Sequence, residues 1–281
     1  MTRRQFLRAS AAATATVGVT TGLHAWRVAP YDLEFVSLDM PVPNLPRALE
    51  GKTLLQISDI HVGDRFDYGY LIESFVRAQA LEPDYVVYTG DYMSYGDERQ
   101  HAQLDEVLRA TVRGKRGTLA VLGNHDYGKN WAEPDVANRI TDQLTAAGIT
   151  VLRNERTTVG GLTFLGIDDY YGPNFAPRLA TDDLDPHAPA VALCHNPDVC
   201  DLDVWNGYCG WILAGHTHGG QVSIPLLGPP VLPVKNKRYG AGVIDLYDGR
   251  MLYVNRALGH LWPVRFNVRP EITVFRLRRT A

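Results

Sequence analysis

Short apolar runs punctuate the chain at Thr53 to Ser58, Tyr85 to Thr89, Leu119 to Leu122, Ala190 to Leu193 and Trp211 to Ala214. Each stops at a polar cluster or a glycine turn, the pattern of a buried strand. Tyr68 to Leu81 and His101 to Val112 show helical spacing between the first three runs, and Asp135 to Ala147 follows with the same period. Strand, helix, strand in succession predicts a right-handed parallel crossover sheet with helices on its faces. The second half reads differently. Thr157 to Leu165 predicts a hairpin turning at Gly160-Gly161. Strand-like runs then follow at Gln221 to Ile224, Gly242 to Leu246, Met251 to Val254 and Ile272 to Leu277 without long helices between them. A mixed α/β sandwich therefore fits better than a purely parallel sheet.

The polar residues closing the five core runs change the picture from fold to chemistry. They are Asp59 and His61 after the first, Asp91 after the second, Asn124-His125-Asp126 after the third, His195 after the fourth, and His216 and His218 after the fifth. Carboxyl ends of neighbouring strands in an open α/β sheet face one crevice, so side chains far apart in sequence can converge there. Asp-x-His and His-x-His put both ligand side chains on one side of the strand end, because alternate residues point the same way. Glycines at 90, 123 and 215 immediately precede ligand residues and allow close backbone approach. An Asp between two ligand groups is the natural bridge for a pair of divalent ions, which singles out Asp91. Each piece alone is weak, since Gly-Asp is common in turns; the ordered set is specific.

That ordered set, Asp-x-His, Gly-Asp, Gly-Asn-His-Asp, a lone His and Gly-His-x-His, resembles the calcineurin-like metallophosphoesterase superfamily over about residues 51–220. His195-Asn196-Pro197-Asp198, Gly215 to Gln221, Pro225 to Pro229 and Arg265-Phe266-Asn267 narrow the resemblance to the YkuE/YaeI-like bacterial branch and extend it to the C-terminus. One departure is Ala257, where the branch pattern leads to Gly. The resemblance implies an α/β/β/α sandwich of two mixed β-sheets flanked by helices. It implies two divalent ions, one on Asp59, His61 and His218, the other on Asn124, His195 and His216, with Asp91 bridging. It further implies hydrolysis of a phosphodiester or pyrophosphate bond by a dimetal-bridging hydroxide, without a covalent enzyme intermediate. His125 takes the position that protonates the leaving oxygen or steadies the phosphate, and Asp126 is expected to orient its imidazole. Imidazole, carboxylate and amide donors without thiolate favour Mn, with Zn or Fe as alternatives.

The N-terminus reads as an address. Thr2-Arg3-Arg4-Gln5-Phe6-Leu7 followed by a weakly apolar, acid-free run from Ala9 to Leu23 resembles a twin-arginine (Tat) export signal. Residues 1–27 are thus expected to be a signal or anchor and residues 28–281 a single phosphoesterase domain. The expected partners are the Tat machinery and a phosphate-ester substrate, with a location in the periplasm, the cell wall or the outer face of the cytoplasmic membrane. The rival reading of this stretch is an ordinary N-terminal helix. Composition agrees with a globular chain: 281 residues, 45% apolar and 21% charged. A net charge of −3 gives no positive field to draw nucleic acid, and a monomer is expected. Cys194, Cys200 and Cys209 form no disulfide framework.

The remaining candidates carry competing readings. Arg256 touches phosphate or orders a ligand loop, and Arg65 is a second substrate candidate; an ordinary surface arginine is the alternative for both. His101 and His187 read as surface. Asp168 and Asp169 shape a loop whose aromatic residues Tyr170, Tyr171 and Phe175 either meet substrate or pack. The stretch Ile224 to Pro233 lines an acyl groove or forms a buried proline-rich connection. Export and branch resemblance together suggest a lipid-linked or cell-envelope substrate, with possible membrane association. A phosphomonoesterase is the nearest rival, and a metal-bound scaffold without turnover is the rival of another class.

Overall fold

The computed structural model describes residues 1–63 and 67–280, so Arg65 lies outside the described residues. Helix α1 (Arg3–Arg27) comes first, then strands β1 (Glu34–Val42) and β2 (Thr53–Ile57). Helix α2 (Tyr68–Gln79), β3 (Tyr85–Thr89), α3 (Glu98–Leu108), β4 (Gly117–Val121), α4 (Pro134–Ala146) and β5 (Thr150–Val151) continue the alternation. The second half runs β6 (Glu155–Val159), β7 (Leu162–Gly166), α5 (Arg178–Thr181), β8 (Ala190–Leu193), β9 (Trp211–Ala214), β10 (Gly242–Asp245), β11 (Met251–Val254) and β12 (Glu271–Arg279).

The strands form two six-stranded sheets, ordered β1-β12-β2-β3-β4-β5 and β10-β11-β9-β8-β7-β6. Strands β2 to β5 are parallel, joined by the expected crossover helices, while β12 runs antiparallel to β2 and parallel to β1. In the second sheet β7, β8, β9 and β11 are parallel, and β6 and β10 pair antiparallel at the two edges. Both sheets are mixed, as expected.

Period-two alternation decides the layers. Leu54, Val87, Leu119 and Phe275 point between the sheets and meet Phe164, Val191, Leu213 and Tyr253. Leu55, Val86 and Ala120 point the other way and are covered by Leu71 and Phe75 of α2, Leu104 of α3 and Ile140 of α4. Among the described residues, the outer face of the second sheet has only α5 and irregular segments over it, with Ala180, Val199 and Trp205 on Ala192, Cys194 and Ile212. Cys194 thus packs in the core, turned away from its neighbour His195.

Three sequence expectations need correction. Gln221 to Ile224 is not a strand: it makes only the isolated bridges Val222 to Phe266 and Ile224 to Gly228, because turns at either end leave it no partner for a ladder. Ile224 to Pro233 is not buried; Leu226, Leu227 and Val231 are exposed. His101 is not on the surface, but is buried with Nδ1 2.7 Å from Gln143 Oε1 between α3 and α4. Strand β1 was not legible beforehand, since its outward face carries Ser37 and Asp39 and its inward face only emerges against β12.

Candidate metal centre

All seven ligand candidates gather at one rim, where the carboxyl ends of β2, β3 and β4 meet those of β8 and β9, and all are buried. Gln56 ties the two sheets directly beneath them, donating from Nε2 to Thr89 Oγ1 and to the Ala214 carbonyl at 3.0 Å each. A lone amide in an apolar strand was the sequence signal for that role.

The backbone is strained at this rim. Asp59, His61, Asp91, His216 and His218 all have φ between 46° and 72°, the left-handed region. Each such non-glycine residue costs on the order of 1–3 kcal/mol and persists because its surroundings over-determine it. The strand-end glycines allow the crowding: a Cβ on Gly123 would lie 2.2 Å from Asp91 Oδ1, and one on Gly215 would lie 2.3 Å from Asp59 Oδ2.

Ligand atoms fall into two groups, Asp59 with His61 and His218, and Asp91 with His195 and His216. In the first, the Nε2 atoms of His61 and His218 are 3.0 Å apart and Asp59 Oδ1 is 3.3 Å from His218 Nε2. In the second, His195 Nε2 is 3.2 Å from His216 Nδ1 and 3.2 Å from Asp91 Oδ2. Asp91 Oδ2 also lies 3.5 Å from His61 Nε2, so one carboxylate oxygen reaches both groups.

Tautomers follow from the outer contacts. His195 Nδ1–H donates to the Thr89 carbonyl at 2.8 Å, leaving Nε2 as a lone pair facing inward. His216 Nε2–H donates to the Pro233 carbonyl at 2.9 Å, leaving Nδ1 inward. The inner nitrogens of His195 and His216 thus face the carboxylates, and Asn124 Oδ1 is buried beside them with no hydrogen-bond partner. Two carboxylates, four imidazoles and an unpartnered amide oxygen crowded together fit a pair of divalent ions.

The histidines also keep both carboxylates ionised. Burial alone would raise the Asp59 carboxyl, but His218 and His195 bring it down to about 2. Asp91 is likewise buried yet held well below the usual carboxylate range by His195, His125 and His61. Among the described residues the ion-pair contacts of these two carboxylates are all with histidines.

Two site expectations change. Asp126 does not reach the His125 imidazole, whose Nδ1 lies 2.8 Å from the Ser94 carbonyl. Its carboxylate instead accepts from the backbone N–H groups of Asp91, Tyr92 and Gly123 at 2.8–2.9 Å, because the short helical turn Asn124–Tyr127 after Gly123 folds it back toward the end of β3. Burial, with Asp91 close by, pushes its carboxyl up to about 8. The Arg256 guanidinium is turned from the cavity into ion pairs with Glu271 and Glu34, although its stem packs toward Gly219, next to His218. It does not line the cavity and is not placed to touch phosphate. Asp168 and Asp169 do shape their loop: Asp168 pairs with Arg153, and Asp169 accepts from the backbone of Tyr171 and Gly172.

Above the ligands opens a cavity of about 460 Å³. Its floor is His61, Asp91, Asn124, His216 and His218; His125, Trp131 and Tyr171 stand on one side, and Val222, Val231, Pro233, Leu261, Trp262 and Val264 form an apolar wall. Trp131 was missed in the sequence. It sits at φ 60° in a strained turn, its ring 5.0 Å from that of Tyr171.

Residues 52–220 match the family described as Calcineurin-like phosphoesterase. The chain belongs to that family. It is similar over its whole length to the metallophosphoesterase YkuE of Bacillus subtilis, at 31% identity covering 100% of this chain and 99% of the relative. The phosphodiesterase YaeI of Escherichia coli is 29% identical over 99% of each chain. The UDP-2,3-diacylglucosamine pyrophosphatase LpxG of Chlamydia muridarum is 26% identical over 96% of this chain and 98% of the relative. The calcineurin-like chain described here is thus a metal-dependent phosphoesterase with a dinuclear site, a hydrolase rather than an inert scaffold.

Proposed function

We infer that the substrate is a phosphodiester or pyrophosphate with one apolar, lipid-like arm. The observation that carries this is the apolar wall from Val222 to Val264 rising directly from the ligand floor. A phosphoryl group held on the floor leaves one substituent against that wall, where apolar surface is worth about 25 cal/mol per Å² removed from water. Similarity to a phosphodiesterase and to a diacylated-nucleotide pyrophosphatase supports the same reading.

Two divalent ions at this site would neutralise phosphoryl charge and supply hydroxide near neutral pH. Asp59, His61 and His218 would hold one, Asn124, His195 and His216 the other, and Asp91 both. The chain's own contribution is alignment. Ser58 Oγ–H and the His216 N–H fix the Asp59 carboxylate, and the His125 N–H fixes Asp91 Oδ1 at 3.0 Å. His125 lines the cavity, and with Nδ1 engaged by Ser94 its Nε2 is the atom that would meet the leaving oxygen. The apolar wall and Trp131 limit water around the ester.

We favour manganese, on the thiolate-free donor set; elemental analysis of the purified protein tests it. Residues 1–27 act in this reading as a Tat signal or anchor ahead of a single, monomeric domain. The protein then works outside the cytoplasm, and export of a folded reporter fused to residues 1–27, abolished by Arg3→Lys/Arg4→Lys, is the check. For the substrate, Mn-loaded protein should cleave bis-p-nitrophenyl phosphate and a lipid-linked pyrophosphate faster than p-nitrophenyl phosphate. Preference for the monoester would establish a phosphomonoesterase instead.

A further inference from the structure

Beyond the reaction itself, the rim of the cavity has an unusual surface. Ile224 and Gly228 close a tight turn whose tip, Leu226 and Leu227, is 106% and 81% exposed. Val231 and Trp262 beside it are 70% and 61% exposed. Scattered apolar side chains need no explanation, but contiguous ones at a site mouth mark a contact surface.

These residues form one mechanical unit. Gln221 Nε2 donates to the carbonyls of Trp262 and Val264 at 3.0 and 3.1 Å, and the Ser223 N–H donates to Phe266 at 2.9 Å. The Arg265 N–H donates in turn to the Ala25 carbonyl at 2.9 Å, so the end of α1 is fastened to the same segment. No described helix, α1 included, is long and apolar enough to cross a membrane.

Charge is distributed to match. Lys237 borders the same surface, lining a cleft with Leu227, Pro229, Pro230, Val231 and Leu232. Lys235 and Arg238, close to it in sequence, are exposed as well, and residues 215–244 contain no acidic residue. Exposed leucine, an interfacial tryptophan and exposed lysine and arginine beside them together fit the headgroup boundary of an anionic bilayer. We propose that the Leu226-Leu227 turn and Trp262 dock on an anionic lipid bilayer and hold the cavity mouth at its surface. This holds whichever ester is cleaved, so its failure and that of the substrate reading are separable.

The test uses the full chain with Leu227→Cys in a Cys209→Ser background; the other two cysteines are buried. An environment-sensitive fluorophore at position 227 should shift to the blue on vesicles of phosphatidylcholine with phosphatidylglycerol and be quenched by a lipid-borne quencher. The same dye at Glu82→Cys should not respond. Leu226→Asp should weaken vesicle binding about tenfold, the equivalent of one leucine leaving an apolar environment, while hydrolysis of a soluble diester is unchanged. A water-like dye on sedimenting protein would show that α1 alone holds the chain and overturn the proposal. So would a blue shift that follows protein concentration without vesicles, which is self-association, or equal binding to pure phosphatidylcholine.

Discussion

His125 Nδ1 lies 2.8 Å from the carbonyl oxygen of Ser94, which turns the opposite nitrogen of the ring toward the cavity. Neither atom takes part in the two ligand groups. His125→Ala is therefore expected to lower kcat by about 100-fold or more, the usual scale for a lost general acid. Metal content, measured on the same preparation, should be unchanged; loss of both ions would move His125 into the ligand set.

Asp126 should behave in the opposite way. Its carboxylate caps three buried N–H groups around β3 and β4, so Asp126→Ala strands them and costs about 1–3 kcal/mol for each that finds no water. Denaturant unfolding of the metal-free protein should show a clear loss of stability and metal titration a weaker affinity. A variant with normal stability but defective turnover would instead place Asp126 in the chemistry.

Asp91→Asn probes the bridge. Because one oxygen of Asp91 reaches both groups, this substitution should reduce occupancy of two ions, whereas His218→Ala should reduce occupancy of one. Elemental analysis separates the cases. Chelation should abolish hydrolysis, and restoring the metal at about 100 times its Kd should add about 2.7 kcal/mol of stability, read as a rise in Tm.

His260 is buried, and burial, with Arg265 and His218 nearby, lowers its pKa to about 3. The unfolded ring takes its proton near pH 6.5, so between those values the unfolded chain binds the extra proton. Stability is present in full above about pH 6.5 and falls as pH drops toward 3. His260→Gln should narrow the Tm difference between pH 7.5 and pH 5; an unchanged difference would show that other groups carry the acid sensitivity.

Much of the site was legible because metal ligands sit at strand ends, where hydrophobic runs stop abruptly at Asp59, Asp91, Asn124, His195 and His216. Spacing of two residues then told which side chains share a side. What was hidden depends on partners distant in sequence. Asp126 looked like a neighbour for His125, but its bonds go to β3, whose place beside β4 no local pattern reveals. Arg256 was drawn off by Glu271 and Glu34, one close in sequence and one 222 residues away. Trp131 owes its position over the cavity to a left-handed turn in a stretch without glycine at that point. Apolar character also misled at Leu226 and Leu227, where hydrophobicity alone implies burial and only the fold shows exposure.

The sheet order has a consequence for how the molecule is made. Strand β12 lies between β1 and β2, so the strand that presents Asp59 and His61 keeps one open edge until the last strand arrives. A ribosome must therefore release residues 271–279 before that edge is closed. Until β12 is made, the nascent protein carries an unpaired, apolar strand border beside the metal site, the situation in which chaperones are recruited.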